Sequence, residues 1–131
     1  MLRVKRFGDS WEIQATSKGT QVGLLSLQLD LPNSYAVVSA VDVEEEYQRR
    51  GVATKLYSRL RRKLLEMGIK TLHGCLEGSG IIQIREAVFG HGNTIYSGFK
   101  GDPSPLTVSE AIHRMDVDYG RLVVETKIKR K

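Results

Sequence analysis

The sequence predicts an α/β (α+β) fold: a mixed, mostly antiparallel twisted sheet with a parallel βαβ unit at its centre. Three observations carry this. Apolar and polar residues alternate over 11–16 and again over 25–30, the pattern of half-buried antiparallel strands. The run "YAVVSAVDV" at 35–43 is apolar almost throughout, as in a strand covered on both faces. Directly after it the apolar period lengthens to that of a helix, and a further strand pattern follows. Strand, crossover helix and strand imply a parallel pair.

Taken in order, a short strand is expected over Arg3–Phe7. Trp11, Ile13 and Ala15 then alternate with Glu12, Gln14 and Thr16, and Ser17-Lys18-Gly19-Thr20 is a turn cluster. Leu25, Leu27 and Leu29 alternate with Ser26, Gln28 and Asp30, completing a hairpin that Leu31-Pro32-Asn33-Ser34 closes. After the strand at 35–43, the residues Val52, Leu56, Leu60 and Leu64, joined by Ala53, Tyr57 and Met67, make one apolar helical face. Lys55, Arg59, Arg62 and Lys63 fall mostly opposite, and Gly68 is the stop signal. Lys70–Leu76 reads as a strand, Gly78-Ser79-Gly80 as a loop and Ile81–Phe89 as a short helix. The glycine-rich stretch 90–99 fits no period. A turn at Asp102–Pro105, a helix over Val108–Met115 and a last alternating strand over Leu122–Ile128 complete the chain, ahead of a basic tail.

The 131 residues suit one domain spanning 1–131, and the 40 % hydrophobic and 27 % charged content is that of an ordinary globular protein. No window approaches the roughly 18 apolar residues of a membrane span. The N-terminus carries no signal-peptide pattern, and Cys75 is the single cysteine. An intramolecular disulfide and a cysteine-built metal cage are therefore excluded, no metal is expected, and a reducing, cytoplasmic home is the expectation. The formal charge of +5 favours anionic partners. A nucleic-acid-binding module is one class it admits, through Lys55, Arg59, Arg61, Arg62, Lys63 and the Lys127–Lys131 tail. No aromatic ladder interleaves with these residues, and no helix-turn-helix or RNA-binding signature appears.

The most informative stretch is the corner "VDVEEEYQRRGVATKL" at 41–56, where strand hands over to helix. The first N–H groups of a helix have no intrahelical partners and lie at the positive end of its dipole, so a turn feeding straight into one can aim several donors at a phosphate. Gly51 permits an unusual φ and a close approach to the main chain. Ala53 keeps the first turn narrow, Arg49 and Arg50 add charge, and Gln48 is a neutral donor.

In frame, Gln48-Arg49-Arg50-Gly51-Val52-Ala53 resembles the Gln/Arg-x-x-Gly-x-Gly/Ala core of the GNAT superfamily of acetyl-CoA-dependent N-acetyltransferases. The match extends to the strand ending at Val43 and to the amphipathic helix, with Glu45 where many members have proline. The resemblance implies acetyl-CoA as co-substrate, held in a cleft between the strands at 35–43 and 70–77. The main chain of Val41, Asp42 and Val43 would pair with pantetheine, the amides of Gln48 through Ala53 with Thr54 would hold the pyrophosphate, and the Val43 N–H would polarise the thioester carbonyl. An amine would attack the thioester directly.

For the catalytic groups the resemblance is looser. Family members often use a tyrosine after the second helix as the acid; Tyr96 in "TIYSGF" is the candidate here, with altered spacing, while Phe89 at another possible place has no hydroxyl. The glutamate base of the histone-acetylating branch falls at Val37, so that base is absent. Asp42, Glu77 and His73 are the remaining candidates. The family's first helix pair is replaced by the hairpin, and the asparagine expected near Ser79-Gly80 has no counterpart. An open acceptor side suits a bulky amine, on a protein or an aminoacyl group, more than a small molecule. A monomer or homodimer, and a catalytically retired domain used for protein contacts, are both compatible with these residues.

Overall fold

The computed structural model describes residues 1–75, 79–98, 106–117 and 122–129; Glu77 and the turn predicted at Asp102–Pro105 lie outside them. The elements run β1 (Leu2–Phe7), β2 (Ser10–Ser17), β3 (Thr20–Asp30), β4 (Tyr35–Val43), α1 (Val52–Met67), β5 (Thr71–Cys75), α2 (Ser79–Phe89), β6 (Thr94–Gly98), α3 (Val108–Val117) and β7 (Leu122–Lys127). The seven strands form one sheet in the order β1-β2-β3-β4-β5-β7-β6. All neighbours are antiparallel except β4 and β5, the pair joined by α1. The mixed sheet with a central parallel unit is thus the one the sequence predicts. Strand β6 was not legible in the glycine-rich stretch, and α2 begins at Ser79, inside the expected loop.

Period decides which side of the sheet is covered. Ile13 and Ala15 on β2, Leu25 and Leu27 on β3, Ala36 on β4 and Leu72 on β5 share one face, and Leu56, Tyr57, Leu60 and Leu64 of α1 bury against them. Each fully buried leucine contributes about 1.5–3 kcal/mol. Gly68 ends α1 in a left-handed conformation, donating to Leu65 while Ile69 donates to Leu64, which satisfies two carbonyls the helix leaves open. A second cluster, Ile82, Tyr96, Ala111 and Val124, seats α3 beside α2. Thr107 and Glu110 cap α3 reciprocally, each side chain accepting from the other's N–H at 3.1 and 3.2 Å. The alternate residues, among them Glu12, Gln14, Ser26, Gln28 and Asp42, make up the other face, away from both helical clusters.

One close approach positions the helix that matters for function. Gly23 pairs with Val43 at the end of β4, and a Cβ placed on it would sit 2.8 Å from Val52 Cγ1. The missing side chain lets the first turn of α1 rest on the sheet beside Val43. Replacing Gly23 by valine is expected to cost about 1–3 kcal/mol through overpacking. Urea denaturation checks this: the midpoint falls with little change in slope, and an unchanged midpoint would contradict the close approach.

Candidate active site

The site begins where two strands part. β4 pairs with β5 only from Tyr35 to Val38, opposite Thr71 to Gly74, while its pairing with β3 runs on to Val43. At the same point the β3 register slips: Leu27 faces Val38 and Ser26 faces Ala40, leaving Ser39 as an unpaired, bulged residue. A bulge bends its strand and adds twist, and here it turns β4 away from β5. Ser39 and Ala40 are exposed in consequence, and Ala36 alone of the run 35–43 is fully buried, so the strand is not covered on both faces as its composition predicted.

Alternation then fixes which backbone groups look into the gap. The Glu44 N–H donates to the Val22 carbonyl at 2.9 Å, so the even-numbered amides after the bulge face β3. Those of Val41 and Val43 point the other way, where no strand meets them. The Val43 carbonyl is taken, accepting from Gln48 Nε2 at 3.1 Å. That bond spends one side-chain hydrogen of Gln48 on locking the corner, and the Gln48 main-chain N–H donates to the Glu45 carbonyl at 3.2 Å.

The corner itself carries two left-handed residues, Arg49 at φ +64° and Gly51 at φ +81°. Such alternation curls successive N–H groups into a concave nest for an anion. The first bonded turn of α1 is closed by the Lys55 N–H on the Gly51 carbonyl at 3.0 Å, so the amides of Val52, Ala53 and Thr54 precede it without an intrahelical partner. A hollow of about 250 Å³ lies over these groups, bordered by Val43, Tyr47, Arg49 and Gly51. It opens into a larger cleft of about 1130 Å³ that runs between the splayed strands and under α2, walled by Val38, Val41, Tyr57, His73, Gly74 and Ile84. A hollow over unpartnered helix amides, feeding an extended cleft with free strand amides, has the shape and donors to fit a pyrophosphate joined to a long polar arm.

Of the residues singled out from sequence, Val41, Val43, Gln48, Arg49, Gly51, Val52, Ala53, Thr54 and His73 border one or both spaces. Three do not. Arg50 turns outward, its guanidinium 5.4 Å from the Tyr47 ring centroid in a cation–π contact. Asp42 alternates to the opposite, exposed face of β4. Tyr96 is enclosed beneath α2 and α3 at 1 % exposure and donates to Glu86 Oε1 at 3.1 Å. Burial first, then the Glu86 carboxylate, push its phenol well above the ordinary range, and the expected acid is therefore not brought to the cleft. The odd spacing of "TIYSGF" reflects that Tyr96 belongs to a core strand position, facing Val124 of β7. Sequence reasoning missed Tyr57, which it placed among the apolar residues of α1; nothing in the helical period separates a core tyrosine from one in a cleft wall.

The basic helix is partly engaged within the fold. Lys63 lies 4.9 Å from the Trp11 ring centroid and 3.9 Å from Glu66, and Arg61 donates to the Lys129 carbonyl at 2.8 Å. Among the described residues no group of three or more histidine, cysteine, aspartate or glutamate side chains is placed to hold a metal ion, and no helix is long and apolar enough to cross a membrane.

A mixed sheet opened at its parallel pair, above a helix N-terminus with free amides, defines the acyl-CoA-dependent transferase class. The sequence model of the acetyltransferase (GNAT) family matches residues 5–77, and the chain belongs to that family: it is an acetyl-CoA-dependent N-acetyltransferase. A comparison with proteins of curated function returned no match. Among solved structures it resembles the ribosomal-protein-S18-alanine N-acetyltransferase of Escherichia coli, at 18 % identity over 96 % of this chain and 74 % of that one, with a TM-score of 0.65. Tetrahymena GCN5 matches at 15 % identity over 94 % and 71 %, TM-score 0.62. The PaiA N-acetyltransferase of Thermoplasma acidophilum, solved with coenzyme A, matches at 13 % identity over 91 % and 61 %, TM-score 0.60. At these identities the likeness is one of fold.

Gly51 and Gly19 share φ +81°, and a Cβ on either meets nothing within 4 Å. Replacing either by alanine should therefore cost a similar amount, about 1–2 kcal/mol of backbone strain. Only Gly51→Ala should also weaken acetyl-CoA binding, by tenfold or so if about 1.4 kcal/mol of phosphate contact is lost. Thermal melts and calorimetric titration of both variants check this; equal affinities would move the phosphates away from this corner.

Proposed function

We propose that the chain transfers the acetyl group to a primary amine carried on a macromolecule, a protein or an aminoacyl group, and that His73 takes the proton the amine sheds. One observation supports the acceptor class: the sheet face opposite the helices, onto which the splayed strands open, is not covered by either helical core cluster. Structural neighbours do not choose the acceptor, since they include enzymes named for a ribosomal protein and for nourseothricin. The single cysteine suits a reducing, cytoplasmic setting.

His73 is favoured by its register. It stands beside Val37 on the parallel pair, at the last rungs before the strands separate, and Val37 is the place where one branch of the family carries its glutamate base. The imidazole borders the cleft and is held edge-on by the Tyr35 ring, centroids 5.1 Å apart. Bound acetyl-CoA supplies the electrophilic thioester carbonyl. In this reading the nest from Arg49 to Thr54 anchors the pyrophosphate, the free main-chain groups of Val41 align the arm, and the Val43 N–H stabilises charge on the carbonyl oxygen. A preorganised donor of that kind is typically worth about 2.7–4 kcal/mol.

Replacing His73 by glutamine should slow acetyl transfer by about 10²–10⁴-fold while leaving the acetyl-CoA dissociation constant unchanged. Steady-state thiol release and calorimetry on the same preparation read the two quantities, and undiminished turnover would remove His73 from the mechanism. In an acceptor panel, folded proteins and peptides with free amines should turn over faster than spermidine or other polyamines. The reverse order would overturn the macromolecular acceptor.

A further inference from the structure

The cleft closes at its inner end where Val38 and Gly74 pair, and the side chains gathered there include none of the expected acids. Tyr57, in the second turn of α1, forms part of the wall although it is only 1 % exposed. Arg85 of α2 is buried to the same degree. Its guanidinium reaches beneath Gly74: a Cβ placed there would lie 3.2 Å from Arg85 Nη2 and 3.6 Å from the Val38 carbonyl oxygen. The guanidinium carbon sits 5.9 Å from the Tyr57 ring centroid, Nη1 donates to Thr126 Oγ1 at 2.9 Å, and Nε has no hydrogen-bond partner among the described residues.

This arrangement is expensive as pure structure. An enclosed cation with an unspent donor carries a desolvation cost that a leucine at the same position would avoid. The glycine opposite it, on a strand where glycine is unfavourable, is what makes room for the guanidinium. Phe89 meets Tyr57 edge-on, ring centroids 6.4 Å apart, so the phenol is held between an aromatic edge and a positive charge. Burial raises the Tyr57 phenol and Arg85 draws it back down. It therefore keeps its proton at neutral pH, while a phenolate formed there would have a cation beside it. The other ionisable side chains in the cleft wall are His73 and, at the phosphate end, Arg49.

We propose that Tyr57 is the catalytic acid of this acetyltransferase, delivering its phenolic proton to the departing coenzyme A sulfur, with Arg85 as the positioning residue that stabilises the phenolate. The proposal rests on the acetyl-transfer reading above. Tyr57 gives up its proton as the carbon–sulfur bond breaks with its electron pair going to sulfur and the amine nitrogen forms the carbon–nitrogen bond. His73 collects the proton shed by the amine, and its return through water to the phenolate restores both groups. Atoms and charges then balance without another reactant.

The free thiol of coenzyme A tests this without turnover, because its thiolate absorbs in the ultraviolet and can be titrated while bound. In the wild-type protein the bound thiol should ionise at lower pH than free coenzyme A, since Tyr57 and Arg85 favour the thiolate. Tyr57→Phe should raise that ionisation by about one pH unit, roughly tenfold in the constant, with coenzyme A affinity unchanged where the thiol is protonated. Identical titrations in the two proteins would overturn the proposal. Should the variant fail to fold, the wild type alone decides, and ionisation at or above that of free coenzyme A overturns it. Absence of saturable coenzyme A binding to the wild type would instead sink the acetyl-transfer reading on which the proposal stands.

Discussion

The parallel pairing of β4 with β5 stops after four residue pairs, and the site depends on that early stop. Backbone groups inside a sheet are normally consumed by their neighbours. Here the bulge at Ser39 rotates the second half of β4 out of the ladder and leaves the Val41 and Val43 amides unclaimed. An unclaimed strand edge is a liability in most proteins, since it invites another chain. In this one it opens inward, into a cleft walled by α1 and α2, where an extended ligand arm can supply the missing partner.

The second constraint is where α1 starts. Its inward leucines fix the helix over β2 and β3, Gly23 lets its first turn sit against the sheet, and the left-handed Gly51 turns the chain sharply enough to begin the helix at the mouth of the gap. The helix end and the strand edge thus converge from two independent packing requirements. The Gln48 to Val43 hydrogen bond ties them together. A shift of either element would separate the free amides of the helix start from those of the strand edge.

Much of this was legible because it is local. The period change at Val52, the glycines at 51 and 68, and the strand patterns on either side specify the βαβ unit and its corner within some forty residues. What sequence could not show is long-range. The bulge at Ser39 exists only in the pairing with β3, and β6 is a strand only because β7 lies beside it. The apolar character of 39–43 reads as a buried strand when part of it lines a cleft. The surroundings of Tyr96 and Tyr57 were hidden for the same reason. Each is a tyrosine in an apolar pattern, and only the packing of α2 reveals that one faces Glu86 in the core and the other borders the cleft beside Arg85.

The central claim is that the free amides of the splayed strand and those of the helix start belong to one ligand. Backbone amide exchange, resolved by residue with and without saturating acetyl-CoA, tests it most directly. Protection is predicted at Val41 and Val43 and, in the same titration, at the amides from Arg49 to Thr54, with the Gly19 turn unchanged. Protection at the helix start alone, with Val41 and Val43 exchanging as before, would contradict the account.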